Sequence, residues 1–403
     1  MILYGIITFL LVFNFPLPLV KLPSLFVVPI ICIIIDFLRY KKLEHYLRLK
    51  LTYDLVFLIL LFILILSGAV IRTSIAGALD VSYVNHLIKF PVYILISYIY
   101  SCHLSKNNIS LMDSLIFAFS LQAIIIITSM FSADIKSVFD IFRSVESVES
   151  SARYDGVRGL AVSGVIYFGL AITYSVFFLY LSMKNKNRNY RYLFIILIIF
   201  FSSFTIARTV LVGVFFSYIA LWFFNRKTFS RMQILALGIV FIFSVLISTN
   251  QDYFSRIIEQ LEFTFEFIYN YYLYGEVRTN STDVLAVMYY PLSDLQLLLG
   301  DGLYMQSDGF HYYGDTDAGY MRNFLFFGLF SLFIYIFNVV FSYMLSRELF
   351  LEQSSRIMAF LLLSFLTFIF HYKGDVILMA KPYYTLLFAI YFYHKMENNK
   401  ELL

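Results

Sequence analysis

The sequence predicts an all-α polytopic membrane protein with about twelve transmembrane helices and two enlarged loops on one side of the membrane. Hydrophobic residues make up 61% of its 403 positions and charged residues only 14%. A soluble domain has about 45–50% hydrophobic and about 25% charged residues. The apolar residues fall in runs of about the length that crosses a bilayer. The hydrophilic stretches between the runs are either short and rich in lysine or long and acidic.

A transmembrane helix needs about 20 apolar residues, with about 17–25 tolerated, and about twelve segments follow this rule. The seventh and eighth are short and meet at Arg208, and the last two are also short. Residues 1–20 lack the basic start and the small-residue cleavage site of a signal peptide, so we expect the first span there. The whole of 1–403 is expected to form a single integral membrane domain. The predicted spans are 1–20, 22–38, 53–71, 85–103, 110–131, 160–182, 192–207, 209–224, 232–249, 319–345, 357–371 and 382–394.

Lysine and arginine predict the orientation, because cytoplasmic loops of membrane proteins are enriched in both. If the N-terminus lies in the cytoplasm, 17 of the 30 basic residues but only 8 of the 26 acidic residues fall on the inner side. The inner connections are then net positive and the outer ones net negative. We therefore expect the long acidic loops, and any chemistry that they carry, on the non-cytoplasmic face.

Two outer segments, about 132–158 and 250–318, are too long to be plain connections. Each contains apolar residues at helical spacing, which predicts a short amphipathic helix in the first and a helix along the membrane surface at the start of the second. After Gly275 the second segment is polar and punctuated by glycine, a composition typical of loops in which the backbone approaches a ligand. The two apolar stripes are Ile135, Val138, Phe142 and Val145, and Phe254, Ile258, Leu261, Phe265, Ile268 and Tyr272.

Arginines on the outer side are the strongest candidates for a functional role. A guanidinium group offers a rigid fork of donors that fits phosphate and does not lose its proton. Arg158, Arg208 and Arg322 lie at or within predicted spans, where a charged group is costly and usually faces a cavity. For the others the alternative is pairing within a loop or snorkelling to the interface. The eight outer arginines are Arg72, Arg143, Arg153, Arg158, Arg208, Arg256, Arg278 and Arg322.

Two further clusters could take part in chemistry. The run from Gly300 to Arg322 combines His311, which could move a proton near neutral pH, with Asp317, which could act as a base. Asp315 and Asp317 could instead bind a divalent metal, but the spacing is a weak signal, and we expect no metal and no cofactor. The second cluster is His371-Tyr372-Lys373-Gly374-Asp375 with Lys381. Its lysines could hold a lipid headgroup phosphate or pair with Asp375.

Several classes of protein are disfavoured. The net charge of +4 is too small to predict nucleic-acid binding. Cys32 and Cys102 both lie in apolar runs and are expected to be free thiols. We find no order of residues typical of a serine hydrolase, no Cys/His metal spacing and no phosphate-binding loop motif. The inner loops are too short for a nucleotide-binding site, so any donor substrate should be held in the membrane and presented from outside.

Several local motifs accompany this architecture. Arg158-Gly159-Leu160 opens the sixth predicted span, and Ala207-Arg208-Thr209 lies between the seventh and eighth. Arg153 and Arg158 each precede a glycine at the eleventh following position. The late loop contains Leu299-Gly300-Asp301-Gly302 and then Asp317 to Arg322, leading into a span. In these features the chain resembles bacterial O-antigen polymerases of the Wzy type, which are related to the O-antigen ligases.

The resemblance implies a GT-C-like membrane fold and inverting, metal-independent glycosyl transfer in the periplasm, from a glycan on undecaprenyl diphosphate to a second lipid-linked repeat unit. It implies a location in the bacterial inner membrane. The partners would be undecaprenyl-diphosphate-linked oligosaccharides, membrane lipid and a chain-length determinant protein. His311 or Asp317 would position or deprotonate the acceptor. The donor diphosphate and glycan would be held by Arg153, Arg158, Arg208, Arg278, Arg322, Tyr320 and Lys373, with the arginines converging on one hollow.

Two other functions stay open. An O-antigen ligase would transfer the glycan to lipid A-core, although Ser163-Gly164 stands where ligases often have Pro-Asn, and Arg278 has no matching glycine. A flippase would move the lipid-linked unit without bond chemistry. It is expected to have short loops on both sides and two similar halves. The two large loops on one side disfavour that function. A membrane acyltransferase would need a histidine within a span, whereas His86 and His371 lie at span ends.

Overall fold

The computed structural model describes residues 1–18, 21–47, 52–77, 80–143, 148, 161–165, 167–184, 190–226, 265–309 and 311–401. Within these ranges the regular elements are helices, apart from two isolated bridges between extended residues. The all-α class is therefore confirmed for the part of the chain described. The chain divides into two compact units: unit 1 contains Met1–Ile31 and Asn107–Thr279, and unit 2 contains Cys32–Lys106 and Asn280–Leu403.

Unit 1 is built mainly from short apolar helices. The boundary between the units falls inside α2, so only the first turn of that helix belongs to unit 1. The helices are α1 (Ile2–Phe13), α2 (Val27–Tyr40), α5 (Leu111–Phe131), α6 (Ala133–Asp140), α7 (Tyr167–Lys184), α8 (Tyr190–Ile206), α9 (Val210–Phe224) and α10 (Glu266–Tyr274), with a 3₁₀ helix at Ser24–Phe26.

Small residues and aromatic rings hold unit 1 together. At Gly213 of α9, an added Cβ atom would lie 2.0 Å from Ser175 Oγ of α7, so only glycine permits this close approach of the two helices. A buried aromatic cluster joins α1, α5 and α7. The rings of Phe119 and Phe177 stack with 4.0 Å between their centroids, and Phe13 packs edge-on against Phe119 at 5.2 Å.

Unit 2 contains the longest helices and the late loop. The helices are α3 (Tyr53–Ala76), α4 (Ser82–Lys106), α11 (Asn280–Val287), α12 (Asp294–Leu299), α13 (Gly319–Phe327), α14 (Leu332–Leu349), α15 (Gln353–Lys373) and α16 (Lys381–Glu401), with 3₁₀ helices at Glu44–Leu47, Tyr313–Asp315 and Gly328–Ser331. Small hydroxyl residues let α4 and α16 pack closely. Ser97 Oγ donates to the Thr385 carbonyl and Ser101 Oγ to the Ala389 carbonyl, both at 2.9 Å.

The structure supports a membrane-embedded helical protein. Six helical segments are long and apolar enough to cross a bilayer, and three shorter apolar helices accompany them among the described residues. The ninth predicted span, 232–249, lies outside the described residues, and the count of about twelve spans stays a prediction. The six segments are Tyr53–Ala76, Ser82–Lys106, Leu111–Met130, Tyr167–Lys184, Gly319–Leu349 and Gln353–Lys373. The shorter ones are Ile2–Phe13, Tyr192–Ile206 and Val210–Phe224.

The two predicted loops contain more regular structure than their glycines suggest. In the first, α6 includes Ile135 and Val138, while Val145 lies outside the described residues. In the second, α10 carries the described end of the apolar stripe, and α11 and α12 lie in the part that we predicted to be irregular. A capping box explains the start of α12. The Ser293 Oγ accepts from the Gln296 amide N–H at 3.2 Å, and the Gln296 side chain accepts from the Ser293 amide N–H at 3.0 Å.

Two glycines allow the late loop to lie directly against α13. Gly300 ends α12 with φ of +70°, and an added Cβ would lie 2.6 Å from the Phe326 backbone. Gly328 ends α13 with φ of +60°, and an added Cβ would lie 2.5 Å from the Leu298 backbone. Both positions thus combine left-handed backbone with a contact that leaves no room for a side chain.

Replacing Gly300 by alanine should lower the free energy of unfolding by about 2–5 kcal/mol, because left-handed backbone costs about 1–2 kcal/mol and overpacking adds about 1–3 kcal/mol. Gly309 is the matched control: its φ is also +70°, but an added Cβ meets nothing within 4 Å. Gly309→Ala should therefore lower the free energy of unfolding only by the backbone cost of about 1–2 kcal/mol. Thermal unfolding of the detergent-solubilised variants measures both, and equal shifts in Tm would contradict the close contact at Gly300.

Candidate functional site

A short hairpin in the late loop places two tyrosines beside α13. Met305 and Tyr312 form an antiparallel bridge, and the Tyr313 amide N–H donates to the Tyr304 carbonyl at 3.1 Å. The Asp80 carboxylate anchors the hairpin by accepting from the amide N–H groups of Tyr304 and Met305, at 2.7 and 2.8 Å. Burial raises the pKa of Asp80, but these hydrogen bonds and those from Ser82 have the larger, opposite effect. The net pKa is therefore below its ordinary value, and Asp80 is held as a carboxylate.

Arg322 of α13 lies between the rings of those two tyrosines. Its guanidinium carbon is 3.9 Å from the ring centroid of Tyr304 and 3.5 Å from that of Tyr312. The residue is only 6% exposed. Its Nε and Nη2 atoms are buried and have no hydrogen-bond partner within the described residues. These contacts with the two rings stabilise the charge, and they leave the Nε and Nη2 donors without an acceptor among the described residues.

Arg143 in unit 1 shows how a buried arginine is normally satisfied. Its Nη1 pairs with Asp140 at 2.6 Å, its Nε donates to the Ala161 carbonyl at 3.2 Å, and its Nη2 donates to Ser129 Oγ at 3.3 Å. This agrees with the loop-pairing alternative for Arg143. Buried polar groups nearly always have partners, so the open donors of Arg322 distinguish it as a candidate for ligand binding.

Asp375, in the loop after α15, is the buried acid of the same region. Its side chain is 2% exposed. The Tyr304 hydroxyl donates to Oδ2 at 3.1 Å, whereas Oδ1 has no hydrogen-bond partner in the part of the chain that the structure describes. Burial raises the pKa of Asp375 to about 6, and the positive charge of Arg322 and the Tyr304 hydrogen bond oppose the rise. Arg322 and Asp375 interact electrostatically, yet these two described residues form no ion pair within 4 Å.

His371 of α15 is held in a single orientation beside Asp375. Its Nδ1 accepts from the amide N–H groups of Val376 and Ile377, at 3.2 and 3.4 Å, and its Nε2 lies 2.9 Å from the Asn323 side-chain amide. N–H groups face both ring nitrogens, and a nitrogen that accepts carries no proton, so His371 is neutral. Its Nδ1 lies 3.8 Å from Asp375 Oδ1, which is too far for a hydrogen bond.

Further positive charge surrounds this part of unit 2. The ring of His86 lies 6.1 Å from that of Tyr304, and Lys89, Lys381 and Arg322 are close enough to act on it electrostatically. The His86 Nδ1 is buried without a partner in the described part of the chain. The region thus combines several positively charged groups with polar atoms that have no partner among the described residues, an arrangement suited to an anionic ligand.

The predicted residues of unit 2 occupy different positions relative to this region. Tyr320 is part of it, because its ring packs on His371 with 4.8 Å between centroids and its hydroxyl donates to the Phe368 carbonyl at 3.2 Å. Lys373 is half-buried at the end of α15. Asp317 is exposed but interacts electrostatically with Arg322. His311 is 72% exposed near the hairpin tip and pairs with Asp308, a hydrogen bond that raises the pKa of His311.

The remaining predicted arginines lie elsewhere. Arg208 and Arg278 belong to unit 1. Arg208 pairs with Glu266, and Arg278 is exposed, with its Nη1 atom 3.4 Å from the Glu276 carboxylate. Arg153 and Arg158 lie outside the described residues. Convergence of the arginines on one hollow therefore stays a prediction.

Sequence reasoning missed the central role of Asp375 and Tyr304. Asp375 was considered only as a partner for neighbouring lysines, although it directly precedes the apolar run Val376-Ile377-Leu378. An acid at the edge of an apolar run is a usable signal, since burial there requires compensation. No protein-family model, curated protein or solved structure matches this chain.

The protonation of Asp375 should make stability depend on pH. Folding raises its pKa from the ordinary 3.8 to about 6, so the folded state binds the proton more tightly than the unfolded state. This stabilisation, about 3 kcal/mol at most, is fully present below pH 3.8 and is lost as the pH rises through 6. Asp375→Asn should remove this pH dependence and raise Tm at pH 7.

Unfolding curves from pH 4 to 7 for the wild-type protein and for Asp375→Asn measure how stability depends on pH. Asp317→Asn, which removes an exposed carboxyl from the late loop of the same unit, should leave the pH slope of the wild-type protein unchanged. An Asp375→Asn variant with the wild-type slope would show that Asp375 is not a buried proton-binding group.

Proposed function

We propose that this protein polymerises undecaprenyl-diphosphate-linked O-antigen repeat units by inverting, metal-independent glycosyl transfer. The observation that carries the proposal is the buried Arg322 guanidinium, which contacts two tyrosine rings and has donors at Nε and Nη2 without a partner among the described residues. It supplements the resemblance of the sequence to O-antigen polymerases. The late loop that resembles that family also carries Tyr304 and Tyr312, which enclose Arg322.

The chemistry of the leaving group accounts for such an arginine. Negative charge builds on the diphosphate as the glycosidic bond to it breaks. A fixed guanidinium edge aimed at that charge stabilises the transition state without reorganisation, by roughly 3–4 kcal/mol for one well-placed donor group. The two rings hold the guanidinium plane and exclude water, which strengthens its interaction with phosphate oxygens.

The wider setting completes the proposal. The enzyme lies in the bacterial inner membrane with about twelve spans, its N-terminus in the cytoplasm and the loops 132–158 and 250–318 in the periplasm. Its partners are the lipid-linked oligosaccharides, membrane lipid and a chain-length determinant protein. Further substrate contacts at Arg153, Arg158, Arg208, Arg278, Tyr320 and Lys373, and acceptor contacts at His311 and Asp317, stay predictions from the sequence.

Replacing Arg322 by alanine should abolish long polymer and leave lipopolysaccharide with single repeat units, because the leaving diphosphate loses its stabilising charge. Arg322→Lys keeps the charge but loses the stacked fork, so polymer formation should fall about 10²–10³-fold. Gel ladders of lipopolysaccharide, alongside blots for membrane-inserted protein, measure both. Arg347→Ala is the control: Arg347 is an exposed residue of unit 2 whose pair with Asp54 should contribute little.

Normal ladders from Arg322→Ala, with the protein inserted, would overturn the role of Arg322. A deletion strain separates the alternative functions. Loss of a polymerase leaves one repeat unit on the lipid A-core, and loss of a ligase leaves none. Loss of a flippase leaves lipid-linked units on the cytoplasmic side. We expect the polymerase pattern, with one repeat unit on the lipid A-core.

A further inference from the structure

We infer that Asp375 is the catalytic base that takes the proton from the acceptor hydroxyl, through its open Oδ1 atom. This assignment rests on the proposed glycosyl transfer and names the acceptor-side group of the same site. It differs from the expectation that His311 or Asp317 performs this step.

The two oxygens of Asp375 have different surroundings. Oδ2 accepts from the Tyr304 hydroxyl at 3.1 Å, so that oxygen is occupied and the carboxylate is fixed in orientation. Oδ1 is buried and unpartnered among the described residues. A buried carboxylate oxygen without a donor is costly, and a substrate hydroxyl is a donor that would satisfy it.

The neighbouring histidine leaves that oxygen open. His371 Nδ1 lies 3.8 Å from Oδ1, too far for a hydrogen bond, and it faces the backbone N–H groups of Val376 and Ile377 instead. Asn323 lies at the opposite ring nitrogen, Nε2. Both ring nitrogens of His371 are therefore engaged by other groups of the protein, and the ring does not compete with a substrate hydroxyl for Asp375 Oδ1.

The two groups considered first are less suited to the role. His311 is 72% exposed and already paired with Asp308, and Asp317 is exposed. Water competes for an exposed base and for the hydroxyl bound to it. Asp375 is instead enclosed and lies near Arg322 without forming an ion pair with it, so a base and an anion-binding cation occur together with unused polar atoms on each.

The reaction step balances with these two groups. The acceptor hydroxyl oxygen forms a bond to the anomeric carbon of the donor glycan as the bond from that carbon to the diphosphate oxygen breaks. The electron pair of the broken bond leaves with the lipid diphosphate, whose added negative charge Arg322 stabilises. The hydroxyl proton passes to Asp375 Oδ1, and water later removes it from the carboxyl. No metal, oxidant or reductant is required.

The pH dependence follows from the groups that surround this carboxyl. Its positively charged neighbour is Arg322, which is positively charged throughout the accessible pH range, and His371 is neutral. Burial raises the pKa of Asp375 to about 6, so the base is ionised at neutral pH and lost as the pH falls through 6. The titratable groups near Asp375 are Arg322, His371, Tyr304, Tyr83, Tyr335 and Tyr384.

The test uses the full-length protein in nanodiscs with a synthetic undecaprenyl-diphosphate-linked repeat unit, scored for polymer with time. Asp375→Asn should lower kcat by about 10²–10⁴-fold while donor KM changes less than about threefold, since the amide keeps the shape but does not accept a proton. Asp375→Glu should keep part of the rate. The wild-type rate should rise with pH through about 6, and this rise should be absent from the residual activity of Asp375→Asn.

The control is Asp294→Asn, which removes an exposed carboxyl that has no role in the proposed site and should keep kcat within about tenfold. An Asp375→Asn protein with a wild-type rate, or one that loses donor binding instead of kcat, overturns the base assignment and leaves the polymerase proposal standing. A wild-type protein that makes no polymer overturns both. Infrared difference spectra of wild-type protein, which report a protonated buried carboxyl, should titrate near pH 6. The absence of that signal also overturns the assignment.

Discussion

A charge removed from water must be compensated by the protein or by a ligand, and in unit 2 this constraint falls on Arg322. The tyrosine rings of the late hairpin supply part of the compensation through their faces. Asp375 supplies another part at a distance, without direct pairing. The Nε and Nη2 atoms of Arg322 have no hydrogen-bond partner among the described residues, and the proposed anion site rests on these two donors.

Much of unit 2 serves to keep this arrangement in place. Asp80 fixes the backbone of the hairpin that carries Tyr304. Gly300 and Gly328 let the late loop lie against α13 with backbone in direct contact. The neutral His371 fixes the start of the loop that presents Asp375. Each contact restricts a loop rather than a helix, which is where precise placement is hardest to achieve, because a loop lacks a repeating hydrogen-bond pattern of its own.

Helix positions were predictable where apolar composition is continuous. The six long apolar segments lie close to predicted spans, because about 20 apolar residues in lipid satisfy their backbone only as a helix. The late loop was less predictable. Its glycines suggested irregular backbone throughout, yet the Ser293–Gln296 capping box starts a helix there. A local hydrogen-bonding pattern decided the outcome, and Gly300 ends that helix.

The sequence by itself determined the helical class and the membrane character, since these follow from composition and from the order of apolar runs. Tertiary structure alone decided which buried groups are satisfied. Arg143 and Arg322 are both arginines in segments predicted to lie outside, yet Arg143 has partners at all three guanidinium nitrogens, whereas Nε and Nη2 of Arg322 have none among the described residues. The Tyr304 hydroxyl reaches Asp375 across 71 positions of the chain. Hydrogen-bond satisfaction depends on such distant neighbours, and only folding brings them together.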